Sequence, residues 1–155
     1  MELIMLSGLP GSGKSTHVAN MRMDLVSTII LSTDYYVERY AKEEGKTYNE
    51  VFKEYIGEAH RMMNHALQFA LDNRKDIIWD QTNLTRKIRM QKLNRIPDTY
   101  NKKCIFFDIT IDQALERNNR PGKIIPEDVL WNMNATVEAP TLDEGFSYVY
   151  RQPQV

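Results

Sequence analysis

The sequence has 155 residues, the length of one domain, and a composition of 42% hydrophobic and 26% charged residues that excludes the disordered, collagenous and low-complexity classes. Its 20 basic and 21 acidic residues leave a net charge of −1, so any contact with nucleic acid must come from a local patch. The one cysteine, Cys104, excludes an internal disulfide and a cysteine-based zinc site, and its apolar surroundings read as core.

Leu3–Leu6 is a short apolar run ending at Ser7-Gly8, as a strand buried on both faces would be. A helix is expected from Lys14 to about Asp24, then a second strand over Thr28–Leu31. From Asn49 to Leu71 apolar residues recur at three- and four-residue steps, which predicts the longest helix, with Asn73 as its cap and Met62 and Met63 on its packed stripe. His60 and His65 on that helix are five apart, the wrong spacing for a metal pair. Asp76–Asp80 reads as the third strand, Thr85 to about Arg95 as a helix ended by Pro97, and Lys103–Ile109 as the fourth strand. Asp112 is expected to cap a helix reaching Arg117. Pro126-Glu127-Asp128 opens another helix, to about Glu138. Phe146–Tyr150 is a candidate fifth strand. No stretch approaches the ~18 apolar residues of a membrane span, and no basic leader precedes Leu3, so a cytoplasmic protein is expected.

Gly8-Leu9-Pro10-Gly11-Ser12-Gly13-Lys14-Ser15 fills every position of the P-loop pattern, between a strand and a helix. The glycines let backbone N–H groups approach phosphate oxygens, and the helix start adds partial positive charge. Lys14 is assigned to the β- and γ-phosphates and Ser15 to Mg²⁺, with Thr16 completing the nucleotide-binding stretch. No Asn-Lys-x-Asp base-reading motif is present, which argues against a switch GTPase.

Asp34 follows the second strand, on the rim where open α/β sheets bind ligands. It is either a general base for an acceptor hydroxyl or the cap of the next helix. Asp80-Gln81-Thr82-Asn83 ends the third strand on the same rim. Asp80 has the Walker B form, and Thr82 and Asn83 are candidates for phosphate or sugar contact. Arg86, Lys87, Arg89, Lys92 and Arg95 make the next helix basic, either as a solvated face or as a track for nucleic-acid phosphates that includes Arg86. Residues 117–125, with Arg117 and Arg120 around Pro121-Gly122, read as a lid whose arginines neutralise charge during transfer.

These motifs, in this order, resemble the P-loop kinase domain of polynucleotide 5′-hydroxyl kinases. The stretch from Glu138 to Phe146 looks like the kinase-domain tail of the animal DNA-repair polynucleotide kinase-phosphatases. The resemblance implies ATP- and Mg²⁺-dependent transfer to 5′-hydroxyl ends of DNA or RNA, with Asp34 as base, Lys14 and Ser15 on phosphate and metal, and Arg120 as the lid arginine. It also implies Thr82 on the acceptor side. Three departures from the family stand out, the first being that phosphatase and ligase domains, often fused in it, are not expected in a chain of this length. Val37 stands where a phage member carries an acceptor-binding arginine, and the lid spacing leaves Arg117 open. The compact length suits a stand-alone enzyme of phage type.

The expected fold is a single α/β P-loop NTPase domain of nucleoside-monophosphate-kinase-like type, with a five-stranded parallel sheet and helices on both faces. Two other readings of the same residues stand beside the polynucleotide kinase: a kinase of a nucleoside or small metabolite, and a non-catalytic ATP-binding, RNA-associated module. The presence of Asp34 counts against the last.

Overall fold

The computed structural model describes residues 1–21 and 26–153. The expected end of the first helix near Asp24 lies outside the described residues. Five strands, β1 (Glu2–Gly8), β2 (Thr28–Leu31), β3 (Asp76–Asp80), β4 (Asn101–Phe107) and β5 (Tyr148–Gln152), form one sheet in the order β2-β3-β1-β4-β5. Every neighbouring pair is parallel, with Leu6 of β1 opposite Asp80 of β3 and Ile105 of β4. The apolar runs form strands because β1 and β3 are covered on both faces.

On one face Leu3, Met5, Ile77 and Trp79 pack against Met63, Leu67 and Ala70 of α3 (Tyr48–Asp72) and Leu93 of α4 (Arg86–Leu93). On the other, Leu6, Ile78 and Phe107 pack against Val18 of α1 (Lys14–Asn20). Cys104 is buried in the first of these clusters, and burial pushes its thiol up to about 12, so it is core. Met63 joins the core, while Met62 is half-buried and its sulfur accepts the Tyr55 hydroxyl at 3.3 Å. His60 and His65 are exposed.

A helix that hydrophobic periodicity did not delimit, α2 (Thr33–Glu44), follows β2 directly and packs through Val37 and Ala41 on Val51 and Ala59 of α3. The stacked rings of Tyr40 and Tyr55, 4.1 Å apart at 3°, close that interface. Thr47 opens α3 with a reciprocal box: its hydroxyl accepts the Glu50 N–H at 3.2 Å, and Glu50 Oε1 accepts the Thr47 N–H at 3.0 Å.

The remaining boundaries move for local reasons. Asp112 is not a cap: Thr110 opens α5 (Ile111–Arg117) through a box with Gln113, leaving Asp112 in the first turn. β4 starts at Asn101 rather than Lys103 because Glu2 of β1 extends the ladder to it. Phe146 is core rather than strand, and β5 begins at Tyr148. The helix α6 (Glu127–Thr136) stops short of Glu138, whose N–H turns to the Leu84 carbonyl at 2.9 Å.

Candidate active site

β1 delivers the phosphate-type loop to the C-terminal edge of the sheet. A side chain at Gly8 has no room, since a Cβ there would lie 2.7 Å from Ser12 Oγ and 2.9 Å from the Phe107 carbonyl. Gly13 enters α1 at φ 99°, in the left-handed region that glycine tolerates without strain. The Gly8 N–H donates to the Thr82 carbonyl at 2.9 Å and ties the loop to the end of β3. Leu9 is core and Ser12 is buried, so these positions offer backbone to a ligand, while Ser15 and Thr16 are exposed.

Lys14 folds back over the loop and donates to the carbonyls of Gly8 at 2.8 Å and Leu9 at 2.9 Å. Burial lowers its ammonium to about 8, against the opposing pull of Asp80 and Asp34. Ser15 Oγ donates to Asp80 Oδ2 at 3.0 Å, which joins the two residues expected at a metal. Burial raises the Asp80 carboxyl, while the Ser15 hydrogen bond and Lys14 hold it down.

Asp34 stands across from this cluster in the first turn of α2. It is not the cap: Ser32 takes that role, its Oγ accepting the Tyr35 N–H at 3.3 Å, which leaves the Asp34 carboxylate to the cleft. Asp34 Oδ1 accepts the Tyr48 hydroxyl at 2.7 Å, and Oδ2 lies 3.4 Å from Lys123 Nζ. Lys123 also pairs with Glu38 and lies 4.7 Å from the centre of the Tyr48 ring. Val37 is fully buried between α2 and α3, so the cation beside Asp34 comes from Lys123, in residues 117–125, and not from this position.

Residues 117–125 form a short hairpin closed by an Arg120–Lys123 bridge. Gly122, at φ 76°, packs so closely on Thr47 that a Cβ would stand 2.7 Å from the threonine Cβ. The Asn49 side chain brackets Ile124, donating to its carbonyl at 3.0 Å and accepting its N–H at 2.7 Å. Arg117 Nη1 donates to the Gly11 carbonyl at 2.9 Å, while Arg120 reaches Glu38 at 3.8 Å. Arg117 is thus on the phosphate loop and Arg120 over α2.

Two expected acceptor contacts are engaged elsewhere. Asn83 is 2% exposed at φ 45°; its Nδ2 donates to the Leu6 carbonyl at 2.7 Å and its Oδ1 accepts from Lys92. It stitches β3 to β1 and faces away from solvent. Arg86 donates to both Asp143 oxygens, at 3.0 and 3.1 Å, and to Thr141. The supposed basic track is broken further: Arg89 is fully buried on Glu144, and Lys92 sits beneath Trp79 against Gln81. Thr82 remains at the rim, half-buried beside the loop. Lys123, Tyr48 and Glu38 were missed. Lys123 had a signal, a cation beside Pro121-Gly122 in the lid; Tyr48 and Glu38 had none in the linear pattern.

The donor set fits a magnesium–nucleotide complex. Ser15 and Asp80, joined at 3.0 Å, supply hard oxygens beside the buried ammonium of Lys14. Mg²⁺ binds in that manner, through one or two protein oxygens plus phosphates and water, and when bound it supplies charge neutralisation at the phosphates. No helix among the described residues is long and apolar enough to cross a membrane.

The chain is 30% identical over 159 aligned residues to the L-seryl-tRNA(Sec) kinase of Methanococcus maripaludis, an alignment that covers 99% of this chain and 57% of that protein. Among solved structures, a provisionally assigned kinase from Chloroflexus aurantiacus superposes with a TM-score of 0.64 at 20% identity, over 97% of this chain and 87% of that one. A chain of the Pnkp1/Rnl/Hen1 RNA repair complex gives 0.62 at 19% identity, over 87% of this chain and 43% of the other. Both structural likenesses are of fold. The AAA domain family model matches residues 3–140, nearly the whole of the loop, sheet and hairpin just described, and the chain belongs to that family, with a P-loop kinase fold.

Proposed function

We propose that this protein transfers the γ-phosphate of ATP to a hydroxyl carried on a nucleic acid, the 5′-hydroxyl end of DNA or RNA. The observation that carries the reading is the pairing of two sites on one sheet edge: Lys14 with Ser15–Asp80 on one side and the exposed carboxylate of Asp34 on the other. Asp34 accepts the proton of the attacking hydroxyl, Lys14 draws charge from the phosphates, and Arg117 and Arg120 close over the transferring group. Support for a nucleic acid acceptor comes from the sequence resemblance and from the name of the archaeal relative, a kinase of seryl-tRNA.

One observation favours a second reading. Arg86, Arg89 and Lys92 are held by Asp143, Glu144 and Gln81, which removes a phosphate track from α4 and suits a small acceptor such as a nucleoside. Labelled ATP offered with 5′-hydroxyl DNA and RNA oligonucleotides, seryl-tRNA, and nucleosides separates the two. Transfer to the oligonucleotides is the expected result, and Asp34→Asn lowers it at least 100-fold while ATP still binds. Transfer to nucleosides alone replaces the first reading with the second.

A further inference from the structure

Asp34 is an exposed aspartate at a helix start, with a side chain that two free torsions would leave mobile. A base must be held within a few tenths of an ångström of its proton, so something has to fix it. The structure supplies that from α3. Tyr48 is the first residue of the helix, fixed there by the Thr47–Glu50 box, and its hydroxyl crosses to Asp34 Oδ1 at 2.7 Å. Phe52, one turn further along, lies against the Tyr48 ring at 5.5 Å and supports its orientation. The face of the same ring carries Lys123, whose ammonium stands 3.4 Å from the other carboxylate oxygen.

We propose that Tyr48 is a positioning residue for the phosphotransfer reaction: its O–H holds one oxygen of Asp34, turns the other toward the acceptor hydroxyl, and seats the lid lysine beside it. The inference rests on Asp34 being the general base. Tyr48 is not itself an acid or base. Its burial, and the carboxylates of Asp34 and Glu38, push the phenol well above its ordinary range, so it stays a donor at any working pH. The corner Thr47-Tyr48-Asn49 therefore has two duties. Thr47 and Asn49 hold Gly122 and Ile124 of the lid, and Tyr48 between them holds the base. Lid docking and base orientation share one turn of helix.

Tyr48→Phe keeps the ring, the Phe52 contact and the Lys123 seat, and removes only the donor. A hydrogen bond to a charged group is worth enough that kcat falls about 10- to 100-fold, with KM for ATP unchanged. In the Asp34→Asn background the same change costs nothing more, because its effect passes through the carboxylate. A Tyr48→Phe enzyme with wild-type kcat, or equal losses in both backgrounds, overturns the proposal. Full activity of Asp34→Asn instead overturns the base assignment and the positioning role with it. A second measurement needs no turnover: in protein labelled at the tyrosine ¹³Cζ, the resonance missing from Tyr48→Phe shifts in Asp34→Asn. If no acceptor in the panel is phosphorylated, the functional reading fails and the positioning role with it; an unmoved resonance, with transfer intact, overturns the positioning role alone.

Discussion

Lys14 carries a positive charge into a place with little water, and its two strongest partners are carbonyl oxygens rather than carboxylates. Its folded-state value of about 8 lies below the 10.5 of the free side chain. Below pH 8 both folded and unfolded chains hold the proton and the burial cost is felt in full. Between pH 8 and 10.5 the unfolded chain holds more protons, so stability gains from this group as the pH rises. The cost below pH 8 is about 3 kcal/mol, at ~1.4 kcal/mol for each tenfold loss of proton affinity. Lys14→Met is accordingly more stable than the parent at pH 7, with an advantage that shrinks toward pH 10; urea midpoints across that range check it. Most residues of the nucleotide side were legible because the P-loop is contiguous and its backbone makes the site. Asn83 misled for the converse reason. A positive φ turned its side chain inward, and residue type and spacing carry no sign of that.

At the scale of elements, the C-terminal turn Leu142–Glu144 is bolted to α4 by a buried ion pair. Arg89 Nε meets Glu144 Oε1 at 2.6 Å with both side chains at most 1% exposed, and Arg89 also donates to the Asn83 carbonyl at 2.9 Å. Arg89→Met strands a buried carboxylate and costs about 3–5 kcal/mol of unfolding free energy. The pair Arg89→Met with Glu144→Leu recovers most of that loss, because the orphaned charge goes too; guanidinium melts of the two variants and the parent test both statements. From sequence, Arg89 looked like one more cation on a polar helix. Only the return of the chain 55 residues later gives it a partner. The strands and the long helix were readable because their periodicity is local. Ser32 and Thr110 take the caps for which Asp34, in one of its two readings, and Asp112 had stood, because a hydroxyl at the boundary competes on equal terms with a carboxylate two residues on. Tyr48 and Lys123 reach Asp34 from separate elements, and no spacing rule connects them.

For the whole molecule, 20 basic and 21 acidic residues leave no general field to hold a polyanion, and much of α4's charge is spent internally. On the proposed function, an oligonucleotide acceptor is gripped at its end alone. About three phosphate contacts on a single strand, at ~0.7 each, set the slope of log K against log salt near −2. Lengthening the oligonucleotide past the first few nucleotides leaves its affinity unchanged. Binding titrations from 50 to 300 mM salt measure the slope, and one steeper than about −5 means that an extended surface is engaged after all.

The strand order β2-β3-β1 has a metric consequence. Asp34, the proposed base, follows β2, Asp80 ends β3, and the phosphate cradle follows β1, so the strand ends that carry the cradle and Asp34 lie two intervals apart, about 10 Å at the hydrogen-bonded spacing of a sheet. That interval is fixed by backbone ladders, which neither stretch with loop length nor drift with side-chain exchange. The sheet thus serves as a gauge for the reaction. On the proposed function, substitutions in residues 117–125 leave the reach between the phosphate and its destination the same.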